Sequence, residues 1–146
     1  MIIREFLPTD RATYLALAEK MFNSPAVSHA LPIAYHERTF DNIIATNPYV
    51  KGFIIEENNT ACGYAILTFG YSTEAAGIMV QIEDLFLLPE ARGKGIGKQF
   101  FAFVRKHFPA KRYRLEVEKQ NLKAQALYKR EGFKYIDYLQ MVNDVE

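Results

Sequence analysis

Apolar residues recur along this chain with two periods, one typical of helices and one typical of strands. Helical spacing predicts four helices, at residues 9–22, about Ile33–Thr46, residues 96–107 and residues 121–131. Alternation and short apolar runs predict strands at Ile2–Phe6, Lys51–Glu56, Ala61–Tyr71, Gly77–Leu88, Tyr113–Val117 and Phe133–Val142, the last as one strand or a pair. The order β-α-α-β-β-β-α-β-α-β predicts an α+β fold, in which an antiparallel meander leads into a parallel β-α-β step.

The length of 146 residues predicts a single domain over residues 1–146, and 49% hydrophobic with 24% charged residues is typical of a globular protein. The one cysteine, Cys62, excludes an internal disulfide. No apolar run approaches the roughly 18 residues that a membrane helix needs, and the first residues lack the apolar core of a signal peptide. We therefore expect a cytoplasmic protein with no membrane partner.

Charge divides the chain into an acidic and a basic part. Residues 1–90 hold 5 Lys/Arg and 11 Asp/Glu, whereas residues 91–146 hold 13 Lys/Arg and 6 Asp/Glu. The segment from Arg92 to Arg114 contains eight basic residues and no acid. This asymmetry favours an anionic ligand on the basic side and a cationic ligand on the acidic side, although two solvated surfaces would give the same pattern.

The segment 85–98 reads as a buried strand, a proline turn, a loop with three glycines in five positions, and a helix start. Glycines let the backbone approach an anion, and the positive end of the helix dipole lies behind them. The segment therefore predicts a phosphate-binding loop. A Walker loop is excluded because Arg92 stands where its first glycine is needed. A dinucleotide fingerprint is excluded because Lys98 or Phe100 stands where its third glycine is needed.

The spacing Arg92-x-x-Gly95-x-Gly97 resembles the signature Q/R-x-x-G-x-G/A of the GCN5-related N-acetyltransferase (GNAT) family, which binds the pyrophosphate of acetyl-CoA. Asn121–Phe133 resembles the family's second motif, N-x-x-A-x-x-x-Y-x-x-x-G-F, and Gln81–Leu87 resembles its fourth strand. The order of helices and strands also matches, so the resemblance covers nearly the whole chain. It implies a mixed, mostly antiparallel central sheet flanked by about four helices.

The resemblance also implies acetyl-CoA as co-substrate and no metal. Three groups of residues would hold this co-substrate. They are the backbone of Leu85, Phe86 and Leu87 for the pantetheine arm, the loop residues Arg92, Gly93, Lys94, Gly95, Ile96, Gly97 and Lys98 for the pyrophosphate, and Asn121 and Ala124 on the later helix.

Two residues are implied as catalytic. Tyr128 matches the family's usual general acid, and a phenol with an ordinary pKa of roughly 10 keeps its proton at neutral pH and can donate it to the departing thiolate. Glu83 is predicted as the base that takes the proton of the acceptor ammonium, through water. Alternation along the strand places Glu83 and Asp84 on opposite faces, so at most one of them points directly at a given site.

The pair Glu83-Asp84 ahead of the strand resembles the diamine and polyamine acetyltransferases, and with the acidic first part it predicts a small cationic primary amine as acceptor. Both carboxylates are expected to bind that amine. The predicted acceptor class covers diamines, polyamines and amino-acid-like molecules, and aminoglycosides and protein or peptide amines are the alternatives. A non-catalytic acetyl-CoA sensor is less favoured because Tyr128 and Glu83 are intact. A nucleic-acid-binding module is less favoured because net charge is +1 and coenzyme A explains the basic segment.

The aromatic-rich end of the chain predicts either a homodimer surface or the completion of the core. The residues concerned are Phe133, Tyr135, Tyr138, Leu139 and Met141.

Overall fold

The computed structural model describes residues 1–145 and contains one five-stranded sheet with four α-helices. The elements in chain order are β1 (Ile2–Glu5), α1 (Arg11–Phe22), α2 (Ile33–Ile44), β2 (Val50–Glu57), β3 (Thr60–Ser72), β4 (Gly77–Leu87), α3 (Ile96–His107), β5 (Arg112–Leu115) and α4 (Leu122–Arg130). The predicted α+β class and the order of these nine elements are confirmed.

The sheet runs in the order β1-β2-β3-β4-β5, with β1 to β4 antiparallel and β5 parallel to β4. Apolar side chains on its two faces form two cores. One face packs against α3 through Phe53, Leu67 and Phe100. The other packs against α1 and α2, where Tyr14 and Tyr64 are fully buried. Burial of each such aromatic side chain stabilises the fold by roughly 1.5–3 kcal/mol.

Strand β4 contains a β-bulge at Glu83, which lies between two residues that pair directly with β3. Asp84 pairs with Ile66, and Ile82 pairs with the next β3 residue, so Glu83 is the extra residue. An extra residue reverses which side chains face which side. Ile82 faces the α3 core before the bulge, whereas after it Leu85 faces that core and the alternate residues face α1. The bulge therefore interrupts the regular alternation of side chains at the acidic pair Glu83-Asp84.

Strands β4 and β5 separate after a short parallel contact. Met79–Ile82 pairs with Arg112–Leu115, and β5 ends there while β4 continues to Leu87. Across residues 83–87, the edge of β4 that faces away from β3 has no strand neighbour among residues 1–145. The outer edge of β5 is likewise the end of the sheet.

The predicted strand at Phe133–Val142 is wrong for the described chain, in which residues 133–145 form neither helix nor strand. Phe133 is anchored, because its N–H donates to the Tyr128 carbonyl and its ring packs beside Phe101. Beyond it, side chains rather than backbone groups hold the segment, for example Tyr138 on Glu74. Apolar alternation predicts a strand face, but a strand also needs a second backbone to pair with, and the sequence pattern does not report its presence.

None of the helices in residues 1–145 combines the length and the apolar character of a membrane span.

Candidate active site

The glycine loop before α3 leaves the first backbone N–H groups of that helix open. Gly93 and Gly95 have left-handed φ angles of 75° and 79°, which glycine adopts without strain. Gly95 is the N-cap, and no side chain caps α3. Nothing in residues 1–145 lies within 4 Å of where a Cβ would stand at either glycine. The loop therefore offers unoccupied donors and the positive end of the helix dipole, which fits a pyrophosphate.

Gly97 serves a different purpose from the two loop glycines. A Cβ there would lie 2.7 Å from Leu127 Cδ2 on α4. The absent side chain lets α3 and α4 approach closely, and α4 carries both Asn121 at its N-cap and Tyr128. Gly97 thus helps to place the second motif beside the loop.

The basic side chains of the loop do not all point into it. Arg92 Nε donates to the Leu87 carbonyl at 3.0 Å, and its guanidinium lies 5.7 Å from the centre of the Phe86 ring. Arg92 therefore ties the loop to the end of β4. Lys94 forms an exposed ion pair with Glu57 at 3.4 Å, and Lys98 is exposed in the first turn of α3. An exposed pair of this kind is weak enough to yield to a phosphate.

A cavity of about 60 Å³ lies where β4 and β5 separate. Four predicted site residues line it, namely Glu83, Leu85, Asn121 and Tyr128. Asp84, Phe86, Leu87 and Ala124 do not. The structure thus brings together the two predicted catalytic side chains, which lie 45 positions apart in the sequence, with Leu85 of the predicted pantetheine strand and Asn121 of the later helix. No residue of the predicted pyrophosphate loop lines this cavity.

Tyr128 is held in the cavity wall by aromatic contacts. Its ring meets Phe101 edge-on, with centroids 5.8 Å apart, and packs against Phe133 at 6.1 Å. Burial raises the pKa of the Tyr128 phenol above its ordinary value of 10.0. The phenol is therefore protonated at neutral pH, and the contacts fix its orientation.

Asn121 caps the helix that carries Tyr128. Its Oδ1 accepts a hydrogen bond from the Ala124 N–H at 3.3 Å. The two residues of this helix that were predicted to contact the co-substrate are therefore hydrogen-bonded to each other. This cap satisfies one free donor at the start of α4. Asn121 also lines the cavity, and its contact with a co-substrate stays a prediction.

Glu83 and Asp84 occupy different environments, and the bulge at Glu83 is what separates them. Glu83 lies on the bulge and lines the cavity; desolvation and then the nearby charge of Glu116 raise the pKa of its carboxyl. Asp84 turns into the α1 side of the sheet, where the Tyr64 hydroxyl donates to it at 2.9 Å. Burial raises the Asp84 pKa from 3.8 to about 6. Of this pair, Glu83 is thus the carboxylate available at the cavity.

Sequence reasoning missed seven residues that line the cavity, and four of them come from outside the apolar positions of the strands. Glu116 and Glu118 follow β5, and Met21 and Ala26 come from the end of α1 and the loop after it. The two glutamates could have been predicted from the sequence, since they alternate with Leu115 and Val117 at the end of the predicted strand. The residues from α1 and its following loop could not have been predicted, because their position depends on how that helix packs against β4. In residues 1–145, no three side chains of the metal-binding types come together.

The Acetyltransferase (GNAT) family model matches residues 15–133, a span that includes the loop, the bulged strand and Tyr128. The chain belongs to the GNAT family. It is accordingly an N-acetyltransferase, and the predicted enzyme class is confirmed.

One relative and two solved structures illustrate what this chain is similar to. Thialysine N-epsilon-acetyltransferase of Mus musculus is 28% identical, and the match covers 87% of this chain and 80% of that protein. A possible acetyltransferase of Clostridium difficile 630 has the same fold at a TM-score of 0.82 and 19% identity, covering 99% of this chain and 97% of that one. Aminoglycoside N-acetyltransferase AAC(6')-Iy in complex with CoA gives a TM-score of 0.79 at 19% identity, covering 98% and 93%.

Proposed function

We propose that this GNAT enzyme transfers the acetyl group of acetyl-CoA to a primary amine of a small cationic molecule, by direct attack within a ternary complex. The observation that carries the proposal is that Glu83 and Tyr128 line one cavity at the point where β4 and β5 separate. Acetyl-CoA supplies the acetyl group as a thioester. The glycine loop and the free edge of β4 would hold it, and the side chains of Glu83 and Tyr128 would act on it.

Co-substrate binding would use backbone groups more than side chains. The uncapped start of α3 and the loop of Gly93 and Gly95 would hold the pyrophosphate. The free edge of β4 at residues 85–87 offers backbone donors and acceptors to the pantetheine arm, and an N–H near Leu87 would polarise the thioester carbonyl. Arg92 would keep this edge in place through its bond to the Leu87 carbonyl.

Glu83 would act as the general base. Its raised pKa brings the carboxylate closer to the pH at which a base both exists ionised and accepts a proton readily. It takes a proton from the acceptor ammonium, directly or through one water, and the freed amine nitrogen forms a bond to the carbonyl carbon. The carbon–sulfur bond then breaks, the departing thiolate takes the phenolic proton of Tyr128, and the second proton of the attacking nitrogen returns to the phenolate, directly or through water. Glu83 releases the first proton to solvent. The net products are an amide, a free thiol and one proton released to solvent.

The cationic acceptor is supported by the charge of the cavity. Glu83, Glu116 and Glu118 line it, and no lysine or arginine does so in residues 1–145. These carboxylates attract a cationic amine and disfavour an acidic one. The name of the mouse relative, thialysine N-epsilon-acetyltransferase, agrees with an amine on a short chain. An aminoglycoside is the alternative, because one protein of the same fold is an aminoglycoside N-acetyltransferase.

The test is free-thiol release from acetyl-CoA with a panel of diamines, polyamines, amino acids, aminoglycosides and basic peptides, with acetyl-CoA binding measured separately by calorimetry. Turnover with diamines or polyamines supports the proposal. Turnover confined to aminoglycosides or peptides replaces the acceptor class. Binding without turnover on any amine supports a sensor, and absence of binding contradicts the assignment of the glycine loop.

We also propose that the protein acts in the cytoplasm and forms a homodimer. The single cysteine, Cys62, is buried and unpaired, which suits a reducing compartment. Fractionation of cells that express the tagged chain tests the location.

A further inference from the structure

The cavity between β4 and β5 is closed on one side by helix α1. Met21, in the last turn of α1, lines it together with Ala26 from the loop that follows. The other lining residues come from β4, from the chain at and after β5, and from α4. Within residues 1–145, Met21 is therefore the side chain with which α1 meets the candidate active site.

The size of the cavity limits what can enter it. Its volume of about 60 Å³ is far below the roughly 300–1,000 Å³ of pockets that enclose whole ligands. Only a small end group, such as an aminomethyl group, fits beside Glu83 and Tyr128. The co-substrate would approach along the free edge of β4, so the wall on the α1 side is the one that the acceptor would meet.

The sulfur atom of Met21 lies against a hydroxyl group that is itself held in place. Tyr64 Oη is 3.2 Å from Met21 Sδ, and the Tyr64 hydroxyl donates to Asp84 Oδ2 at 2.9 Å. The single phenolic proton has a carboxylate and a thioether within reach, and the carboxylate is much the stronger acceptor. Asp84 therefore fixes the hydroxyl, and the hydroxyl oxygen is the surface against which the sulfur packs.

The ring of Tyr64 is fixed by the core around it. It is fully buried, meets the Tyr14 ring edge-on with centroids 5.2 Å apart, and lies 6.3 Å from the centre of the Phe86 ring. Methionine, by contrast, has three rotatable side-chain bonds and adapts to the space beside it. A flexible side chain beside a fixed hydroxyl takes its position from that hydroxyl.

Asp84 acts on the cavity from behind, because it does not line the cavity itself. The bulge at Glu83 separates the two neighbouring carboxyls, and each has a different partner. Glu83 lies at the cavity, whereas Asp84 holds the hydroxyl group that supports the α1 wall.

We propose that Met21 determines which amines the enzyme accepts, and that Tyr64 and Asp84 are positioning residues that hold it. With Met21 fixed against the Tyr64 hydroxyl, the cavity admits a primary amine on an unbranched carbon and excludes one whose amine-bearing carbon carries a methyl group. This inference rests on the proposed function, since it concerns the acceptor of the same reaction. It gives Asp84 a role other than contact with the amine.

The first test compares 1,4-diaminobutane with 2,5-diaminohexane, which has the same spacing between nitrogens and one methyl group on each amine-bearing carbon. The intact enzyme should favour the unbranched amine in kcat/KM by about tenfold or more, the usual effect of one such group in a tight pocket. Met21→Ala removes the wall and should reduce this preference to about twofold or less. Equal use of both amines by the intact enzyme, or an unaltered preference in Met21→Ala, would overturn the proposal.

Tyr64→Phe tests the positioning role without changing a residue that lines the cavity. It removes the hydroxyl and keeps the ring, and it should reduce the preference by about threefold, part of the effect of removing Met21. Asp84→Ala leaves the hydroxyl without its acceptor and should act like Tyr64→Phe, whereas Asp84→Asn offers an acceptor again and should restore the preference. An Asp84→Asn variant that raises KM for both amines would place Asp84 in contact with the amine and overturn its positioning role.

Methyl NMR follows the Met21 side chain directly, in protein labelled at its four methionine methyl groups. Met21→Leu assigns the signal. Tyr64→Phe should raise the mobility of the Met21 methyl group and leave that of Met79 unaltered. Tyr14→Phe is the matched control, because it removes a hydroxyl from another fully buried ring of the same core. A Met21 methyl group that is equally mobile in Tyr64→Phe and in the intact protein would overturn the positioning role.

The two proposals fail separately. Thiol release with neither diamine, in a protein that binds acetyl-CoA, contradicts the proposed acceptor class, and the mobility of the Met21 methyl group then decides the positioning role by itself. Turnover of both diamines with equal kcat/KM supports the proposed function and overturns this inference.

Discussion

Two stretches of the sheet lack a strand neighbour, the edge of β4 at residues 83–87 and the outer edge of β5. The first is bordered by acids and by Tyr128 of α4, and it leads into a cavity of about 60 Å³. The second is open, bordered by basic residues, and faces a groove of about 740 Å³. The two open edges thus border very different spaces, one small and acidic and one large and basic, because the side chains around each edge differ.

The largest effect expected at the inner edge comes from Tyr128→Phe. Loss of the phenolic proton donor should lower kcat by about 100-fold or more, since a positioned general acid contributes 10²–10⁴-fold. Acetyl-CoA affinity should hold within about twofold, because the ring and its contacts with Phe101 and Phe133 remain. Steady-state kinetics and calorimetry check this. Tyr49→Phe, which removes a hydroxyl from an exposed ring, is the matched control. An unaltered kcat would remove Tyr128 from the chemistry.

A smaller effect is expected on stability, from Asp84→Asn. The folded Asp84 carboxyl has a pKa of about 6 against 3.8 unfolded, so the folded state binds its proton more tightly. Its contribution to stability is therefore present below pH 3.8 and is lost as pH rises to about 6, by roughly 2–3 kcal/mol. Asn keeps an acceptor for the Tyr64 hydroxyl and cannot ionise.

The Asp84→Asn variant should consequently be about 2 kcal/mol more stable than the parent at pH 7, and the two should converge near pH 4. Urea unfolding at several pH values measures this difference. A variant that is less stable at pH 7 would show that the ionised carboxylate is favourable where it lies. Glu90→Gln, which changes a carboxyl on the exposed surface, is the comparison variant.

The smallest effect is expected for Glu83→Gln on turnover. Removal of the base should lower kcat about tenfold or more while acetyl-CoA binding changes less, because Glu83 would meet the amine and not the co-substrate. Below the raised pKa of Glu83, kcat/KM of the parent should fall with pH, and the variant should lose that limb. Initial rates measured over a range of amine concentrations at each pH give both kcat and kcat/KM and test both points. Glu118→Gln, a second carboxylate lining the cavity, is the control, and an equal loss there would assign the effect to charge alone.

Much of the fold could be predicted from local signals. The periods of α1, α3 and the central strands gave the correct element types, because each of these elements buries one face against the sheet. The predicted strand at Phe133–Val142 failed, although its apolar content is real. Its side chains alternate as in a strand, but no second strand pairs with this segment in residues 1–145. Alternation alone does not reveal whether a neighbouring strand is present.

The candidate site could likewise be predicted where it depends on local sequence, and not where it depends on contacts between distant residues. Tyr128, Glu83 and the glycine loop could be named from spacing and family resemblance, because their chemistry depends on residue type at fixed short intervals. The part played by Gly97 differed from a phosphate-loop glycine: it makes room for Leu127, a contact between two helices. The hydrogen bond from Arg92 to the Leu87 carbonyl could not be predicted either, since it depends on where β4 ends.

The sequence by itself determined the order of elements, the uncapped glycine start of α3 and the family. These follow from local backbone preferences and from the burial of one face of each element. Only the tertiary structure decided that the bulge separates Glu83 from Asp84, that Glu116 and Glu118 line the cavity, and that β5 is the last strand of the sheet. Each of these depends on which distant segments meet, and a contact between distant segments is set by packing and strand register.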